Sequence, residues 1–182
     1  FRVAVLEPDA SAPAARAADM HVATAYDDPA GLERLAALCA AVTTEFENVP
    51  ADALEHLSSR CPTAPAASAV RACQHRLREK QQLVAAGVPC AAHCAVAAEH
   101  DLAAVPPALL PGILKTARLG YDGKGQRRVA DHAQLAAAWA ELGRVPCVLE
   151  ALVPIACELS VIVARSRDGT TVHLPVQQNL HR

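Results

Sequence analysis

A chain of 182 residues, 52% hydrophobic but only 3% aromatic, is long enough for one ordinary domain or two small ones with a core of small aliphatic side chains. Its net charge of -2, with no basic run, argues against a nucleic-acid surface, and no apolar stretch is long enough to span a bilayer or resembles a signal peptide. Seven cysteines without a Cys-x-x-Cys pair form no disulfide framework, and Cys90 and Cys94 bracket His93 without a second ligand pair, so free thiols and a reducing cytoplasm are expected.

Taken in order, Phe1–Leu6 reads as a buried strand, with a turn at Glu7-Pro8-Asp9. An alanine-rich helix around Ala14–Ala18 and a short strand at His21–Thr24 follow. From Pro29 the period becomes helical, with Leu32, Leu35 and Cys39 on one face. Ala41–Phe46 returns to a strand, and Pro50–Leu57 reads as a helix with proline in its first turn. Strands alternating with helices imply a parallel sheet, whose ligands gather at the carboxyl ends of the strands. Glu45-Phe46-Glu47-Asn48-Val49-Pro50 stands at such an end. Its carboxylates and amide suit a sugar or an amine; equally, Asn48 can cap the next helix while the glutamates are solvated.

Cys61–Ala67, with two prolines, reads as a linker. One or two helices are expected over Ser68–Ala86, ended by Gly87 and Pro89, with Arg76 and Lys80 on one face. Ala91–Val96 and Gly112–Lys115 are expected to be antiparallel strands with a short helix after His100 between them. Three glycines in six residues then follow, in Gly120-Tyr121-Asp122-Gly123-Lys124-Gly125, flanked by Lys115 and containing Lys124. Glycines at that spacing let backbone N–H groups converge on phosphate oxygens, although a flexible hairpin with solvated lysines has the same composition. No Gly-Lys-Ser/Thr closes the loop, so it is not a Walker A motif.

Gln126–Val129 leaves the loop as a strand, and Asp131 caps a helix whose apolar stripe is Leu135, Ala138, Trp139 and Leu142. Gly143 and Pro146 end it, and Cys147–Leu149 begins another strand. Glu150 to Val153 enters a connector of the kind whose backbone can read adenine. Glu158 opens an alternating strand over Leu159–Arg165, where a carboxylate can accept from both ribose hydroxyls, or simply be a strand-end charge. Arg167-Asp168-Gly169 is a hairpin turn, Val172–Val176 returns, and Gln177 onward leaves the sheet.

Three of these stretches resemble, in the same order, the 5-(carboxyamino)imidazole ribonucleotide synthase family of ATP-grasp carboxylases: Glu45–Pro50, Lys115 with Gly120–Gln126, and Glu150–Ser160. Gln74–Lys80 is similar to the family's Asp-Arg-Leu-x-x-Lys helix, with His75 in place of the aspartate. The resemblance covers essentially the whole chain. It implies an α/β fold with an α+β lid: the N-terminal part of a Rossmann-like parallel domain over residues 1–65, then an incomplete ATP-grasp domain over residues 66–182, with a lid at about 90–153. The chain opens at Phe1 inside an apolar run and stops at Arg182, so an internal fragment, inactive alone, is expected.

For the whole protein the resemblance implies a ligase that makes a C–N bond, carboxylating 5-aminoimidazole ribonucleotide with bicarbonate and ATP through carboxyphosphate, in purine biosynthesis. The carboxylate of Glu45 would meet the ribonucleotide, and Lys115, Tyr121 and Asp122 would take part in catalysis. ATP would be held by Arg76, Lys115, Gly120, Tyr121, Asp122, Gly123, Lys124, Gly125, Gln126, Glu150, Ala151, Leu152, Val153, Glu158 and His181. Magnesium ligands and the loop for the acceptor's phosphate are expected outside these residues. The implied partners are small molecules, with no nucleic acid and no membrane, and a homodimer is admitted for the whole protein. Two readings stand beside it: another ATP-grasp ligase, which should lack Glu45–Pro50, and a non-catalytic ATP-binding module.

Overall fold

Short apolar strands linked by alanine-rich helices bury their side chains only by stacking a helix on a sheet. The computed structural model describes residues 1–120, 124–166 and 168–180, and divides into two units, Phe1–Ala151 and Leu152–Arg182. In the first unit β1 (Ala4–Leu6) lies parallel to β2 (Met20–Val22), and the crossover between them is α1 (Pro13–Ala17). The helix α2 (Pro29–Leu38) starts where the Asp28 carboxylate accepts from the Gly31 amide. A second parallel pair joins β3 (Val42–Thr43) to β4 (Thr63–Ala64) through α3 (Ala51–Ser58). Leu32, Leu35, Leu54 and Leu57 meet Val70 of α4 (Ala67–Cys73) in one core.

Three expectations change here. The strand read over Ala41–Phe46 is only two residues long, and the stretch read as a linker contains β4. The cap position of α3 is Pro50, with no side-chain cap bond, so Asn48 does not cap that helix.

The helix α5 (Arg76–Ala85) leads to a four-stranded sheet in the order β5 (His93–Val96), β8 (Cys147–Ala151), β6 (Gly112–Thr116), β7 (Gln126–Val129). Every neighbouring pair is antiparallel. The expectation that β5 and β6 form an antiparallel pair is therefore overturned: each is antiparallel to β8, which lies between them. Cys147-Val148-Leu149 is fully buried, and a strand apolar on both faces belongs at the centre. Gly112 permits the close approach there, since a Cβ would stand 2.5 Å from the Leu109 carbonyl oxygen and 2.7 Å from that of Glu150. Beyond β5, α6 (Glu99–Ala104) is held at its start by Asp101, which accepts from the amides of Ala97 and Ala98.

The helix α7 (His132–Glu141), capped by Asp131, lays Leu135, Ala138 and Trp139 on the sheet. The Trp139 indole is core, as its spacing predicts, and its Nε1 donates to the Val145 carbonyl at 2.9 Å. Burial among these side chains pushes the Cys147 thiol up to about 11, so it serves packing rather than chemistry. Leu114 is fully buried in the same core. Leu114→Ala is expected to lower the unfolding free energy by about 2–5 kcal/mol, read as a lower urea midpoint at unchanged slope.

The second unit consists of two antiparallel pairs: β9 (Glu158–Ser160) with β12 (Gln177–Asn179), and β10 (Val163–Arg165) with β11 (Thr171–His173). One continuous strand over Leu159–Arg165 is thus replaced by two, in different pairs. The segment from Gln177 does not leave the sheet but forms β12. Among the described residues no helix is long and apolar enough to cross a membrane.

Candidate functional site

Alternation along β6 and β8 decides what faces the site. Leu114 and Leu149 point into the core, so Lys115 and Glu150, one residue along each strand, point to the other face. Ile113 is opposite Glu150 in register, which leaves Lys115 on the diagonal, and its Nζ reaches Glu150 Oε2 at 2.9 Å. The second carboxylate oxygen, Oε1, meets Lys80 Nζ at 3.2 Å. The three side chains are only 12–20% exposed. Burial alone would raise the Glu150 pKa, but the hydrogen bonds and charges of Lys115 and Lys80 outweigh it and hold the carboxyl below its ordinary 4.5.

Lys80 lies one helical turn beyond Arg76, so both project from one face of α5 onto the end of β6. Arg76 donates from Nε to the Thr116 carbonyl and from Nη2 to the Gly120 carbonyl, both at 3.1 Å. Its backbone amide adds a bond to the Ala117 carbonyl at 2.9 Å. The start of α5 is therefore stitched to the glycine-rich loop. His75 occupies the cap position of α5 without a side-chain cap bond, and its Nδ1 is buried and unpartnered. Burial, with Arg78 and Arg118 nearby, lowers its pKa and keeps it neutral, so no further charge joins this basic cluster. An aspartate at that position would cap the helix, a difference of about 1 kcal/mol.

The glycine-rich loop closes on itself through Thr116, whose amide donates to the Gly125 carbonyl at 2.8 Å. Gly125 has φ +70°, where a side chain is strained, and a Cβ there would lie 2.6 Å from Thr116 Oγ1. A Cβ on Gly120 would stand 3.0 Å from Arg76 Nη2. Both glycines are thus closely approached by their neighbours, Gly125 by Thr116 and Gly120 by the Arg76 guanidinium. Lys124 is exposed, and Gln126 begins β7. Tyr121, Asp122 and Gly123 lie outside the described residues, as does His181.

Glu45 is exposed in the loop before α3. Phe46 beside it stacks, tilted, on Tyr26 with ring centroids 5.7 Å apart. The Tyr26 hydroxyl donates to Glu7 at the end of β1, a bond that pushes the phenol up to about 12. On the other side Gln74 donates to the carbonyls of Glu47 and Val49.

Ala151 ends β8. In the second unit, Leu152 and Val153 are exposed in the connector. Glu158 and Ser160 share one face of β9, as the alternation predicts, and Asn179 joins them: its Nδ2 donates to Glu158 Oε1 at 2.9 Å and its Oδ1 accepts from Ser160 Oγ at 3.1 Å.

The structure thus brings Arg76, Lys115, Gly120, Gly125 and Glu150 together in the first unit. In the first unit it adds Lys80, Gln74 and Thr116, and in the second unit, taken by itself, Asn179 joins Glu158 and Ser160. The four-residue spacing of Arg76 and Lys80 was a signal for Lys80; nothing local marks the other three. Among the described residues no group of three or more His, Cys, Asp or Glu could hold a metal ion, and the Glu150 carboxylate is already engaged by two lysines. These residues do not fit a magnesium site.

Comparison with known proteins matches residues 81–182 to the ATP-grasp domain and residues 1–74 to the ribonucleotide synthetase preATP-grasp domain. An N5-carboxyaminoimidazole ribonucleotide synthase from Brucella melitensis is 40% identical, with 100% of this chain and 51% of that protein aligned. A crystal structure of an N5-carboxyaminoimidazole ribonucleotide synthetase in complex with ADP superposes with a TM-score of 0.91 at 35% identity, over 100% of this chain and 48% of that one. An N5-carboxyaminoimidazole synthase from Aspergillus clavatus, in complex with ADP and 5-aminoimidazole ribonucleotide, gives a TM-score of 0.82 at 27% identity, over 100% of this chain and 47% of that one. The chain spans about half the length of the curated relatives it matches.

Proposed function

The chain belongs to the ATP-grasp family, and on that premise we propose that the protein it represents is a 5-(carboxyamino)imidazole ribonucleotide synthase. In this reaction a bicarbonate oxygen attacks the γ-phosphorus of ATP, ADP leaves, and carboxyphosphate forms. The exocyclic amine of 5-aminoimidazole ribonucleotide then takes the carboxyl carbon. The C–O bond to phosphate breaks, the amine loses a proton, and a carbamate results. Such chemistry is mostly positioning and charge neutralisation. The observation that carries the reading is a likeness running from end to end of the chain, to N5-carboxyaminoimidazole ribonucleotide synthases of several bacteria and to structures with ADP and with the ribonucleotide.

In this reading Lys115, Lys124 and Arg76 balance phosphate charge and tie down the glycine-rich loop, Glu150 to Val153 take the adenine edge, and Glu158 takes the ribose. Tyr121, Asp122 and His181 complete the nucleotide contacts, and Glu45 meets the acceptor. The magnesium that phosphoryl transfer uses would be held by carboxylates other than those described here. Residues 1–65 would be part of a Rossmann-like domain and residues 66–182 part of an ATP-grasp domain, with the lid at about 90–153. The seven free cysteines suit a reducing cytoplasm; the partners in this reading are small molecules, with no nucleic acid and no membrane, and a homodimer is admitted for the whole protein.

The test is a turnover assay on the whole protein with MgATP, bicarbonate and 5-aminoimidazole ribonucleotide, each omitted in turn. ADP release that depends on both bicarbonate and the ribonucleotide is expected. ATP turnover indifferent to the ribonucleotide would point to another ATP-grasp ligase, and no turnover at all to a binding module.

A further inference from the structure

Two loops must act together in this reaction, one over the phosphates and one at the acceptor amine, and a single amide side chain touches both. Gln74 sits at the end of α4, two residues before Arg76. Its Nε2 spends both hydrogens on the acceptor loop, donating to the Glu47 carbonyl at 2.7 Å and the Val49 carbonyl at 2.6 Å. Its Oε1 accepts from Arg118 Nη2 at 3.4 Å, at the entry to the glycine-rich loop. Arg76 continues the tie from the same helix junction, through its bonds to Thr116 and Gly120. These contacts join segments 25 to 44 residues apart in sequence.

The amide group suits this task in a way its neighbours in size do not. A glutamate has no hydrogen to give the two carbonyls and would set its charge against them. A shorter amide would not span the gap, and an apolar residue would leave two polar carbonyls without a donor. Gln74, half-buried just past the last residue of α4, is no part of the core.

We infer that Gln74 is a positioning residue that couples the acceptor loop Glu45–Pro50 to the glycine-rich nucleotide loop, so that the amine stands ready when the carboxyl donor forms. The inference rests on the proposed carboxylase reading. Carboxyphosphate not met by an amine breaks its C–O bond to give carbon dioxide and phosphate. Loss of the coupling therefore consumes ATP without making carbamate.

The test compares whole protein with Gln74→Glu and Gln74→Ala. Three quantities are measured: carbamate formed per ADP released, the KM values for the ribonucleotide and for ATP, and amide hydrogen exchange over residues 45–50. In both variants the product-to-ADP ratio is expected to fall and the ribonucleotide KM to rise by about tenfold. The ATP KM is expected to stay within about twofold, and exchange to quicken at Phe46–Val49 but not in α3. An unchanged ratio with both KM values rising together alongside a lower melting temperature would overturn the inference, as that is the pattern of a merely structural residue. Unchanged exchange at Phe46–Val49 would overturn it as well. Wild-type protein with no ribonucleotide-dependent ADP release would instead sink the carboxylase reading, and the exchange measurement alone would then decide whether Gln74 holds the loop.

Discussion

Lys115→Met is expected to lower kcat/KM for ATP in the whole protein by about 10²–10³-fold while changing the melting temperature little. The two halves of that expectation have separate causes. Lys115 stands at the carboxyl end of β6, beside the glycine-rich loop, on the face turned away from the core. A cation held there before the nucleotide arrives needs no reorganisation to meet its phosphates, and partial burial makes its charge more effective than it would be in water. Methionine keeps the apolar stem and most of the volume. The carboxylate it leaves behind is not stranded, because Lys80 still reaches Glu150 Oε1 at 3.2 Å. Steady-state kinetics beside a thermal melt separates the two halves. Kinetics unchanged from wild type would remove Lys115 from the nucleotide site, and a collapse of the melt would make it a residue of the fold.

The elements whose signal is local were legible in the sequence. The cap at Asp131, the stripe of Leu135, Ala138 and Trp139, and the parallel pairing of β1 with β2 all follow from periodicity and end signals that lie within a few residues. The order of the four-stranded sheet was not, because pairing depends on which strand is apolar on both faces, a comparison across more than fifty residues. The two-residue strands β3 and β4 are likewise too short to carry a period. At the site, the family resemblance marks Lys115, the glycines and Glu150 as a set, yet it does not say that Lys80 completes a three-residue ion cluster. Nor could it show Gln74 reaching back 25 and 27 residues to two carbonyls, since a backbone acceptor leaves no mark in a sequence.

Glu150→Ala is expected to cost more stability than any other single change at this cluster. Removing the carboxylate leaves two ammonium groups, 14% and 20% exposed, facing each other without a counter-charge. Breaking a fully buried pair costs about 3–5 kcal/mol, and the solvent the lysines retain reduces this to about 2–3 kcal/mol. The double variant Glu150→Ala with Lys80→Met should recover part of the loss, because one remaining lysine can turn toward water whereas two cannot relieve each other. The pH dependence has a fixed sign. The folded-state pKa of Glu150 is depressed below 4.5, so its contribution is fully present above that value and is lost as pH falls through the lower folded pKa. The stability gap between wild type and Glu150→Gln, measured by urea unfolding, should therefore be constant near neutrality and shrink as the medium is taken to about pH 3. A gap that stays constant over that whole range would mean that folding leaves the Glu150 pKa where it is in the unfolded chain, and the two lysines would then contribute nothing to holding its charge.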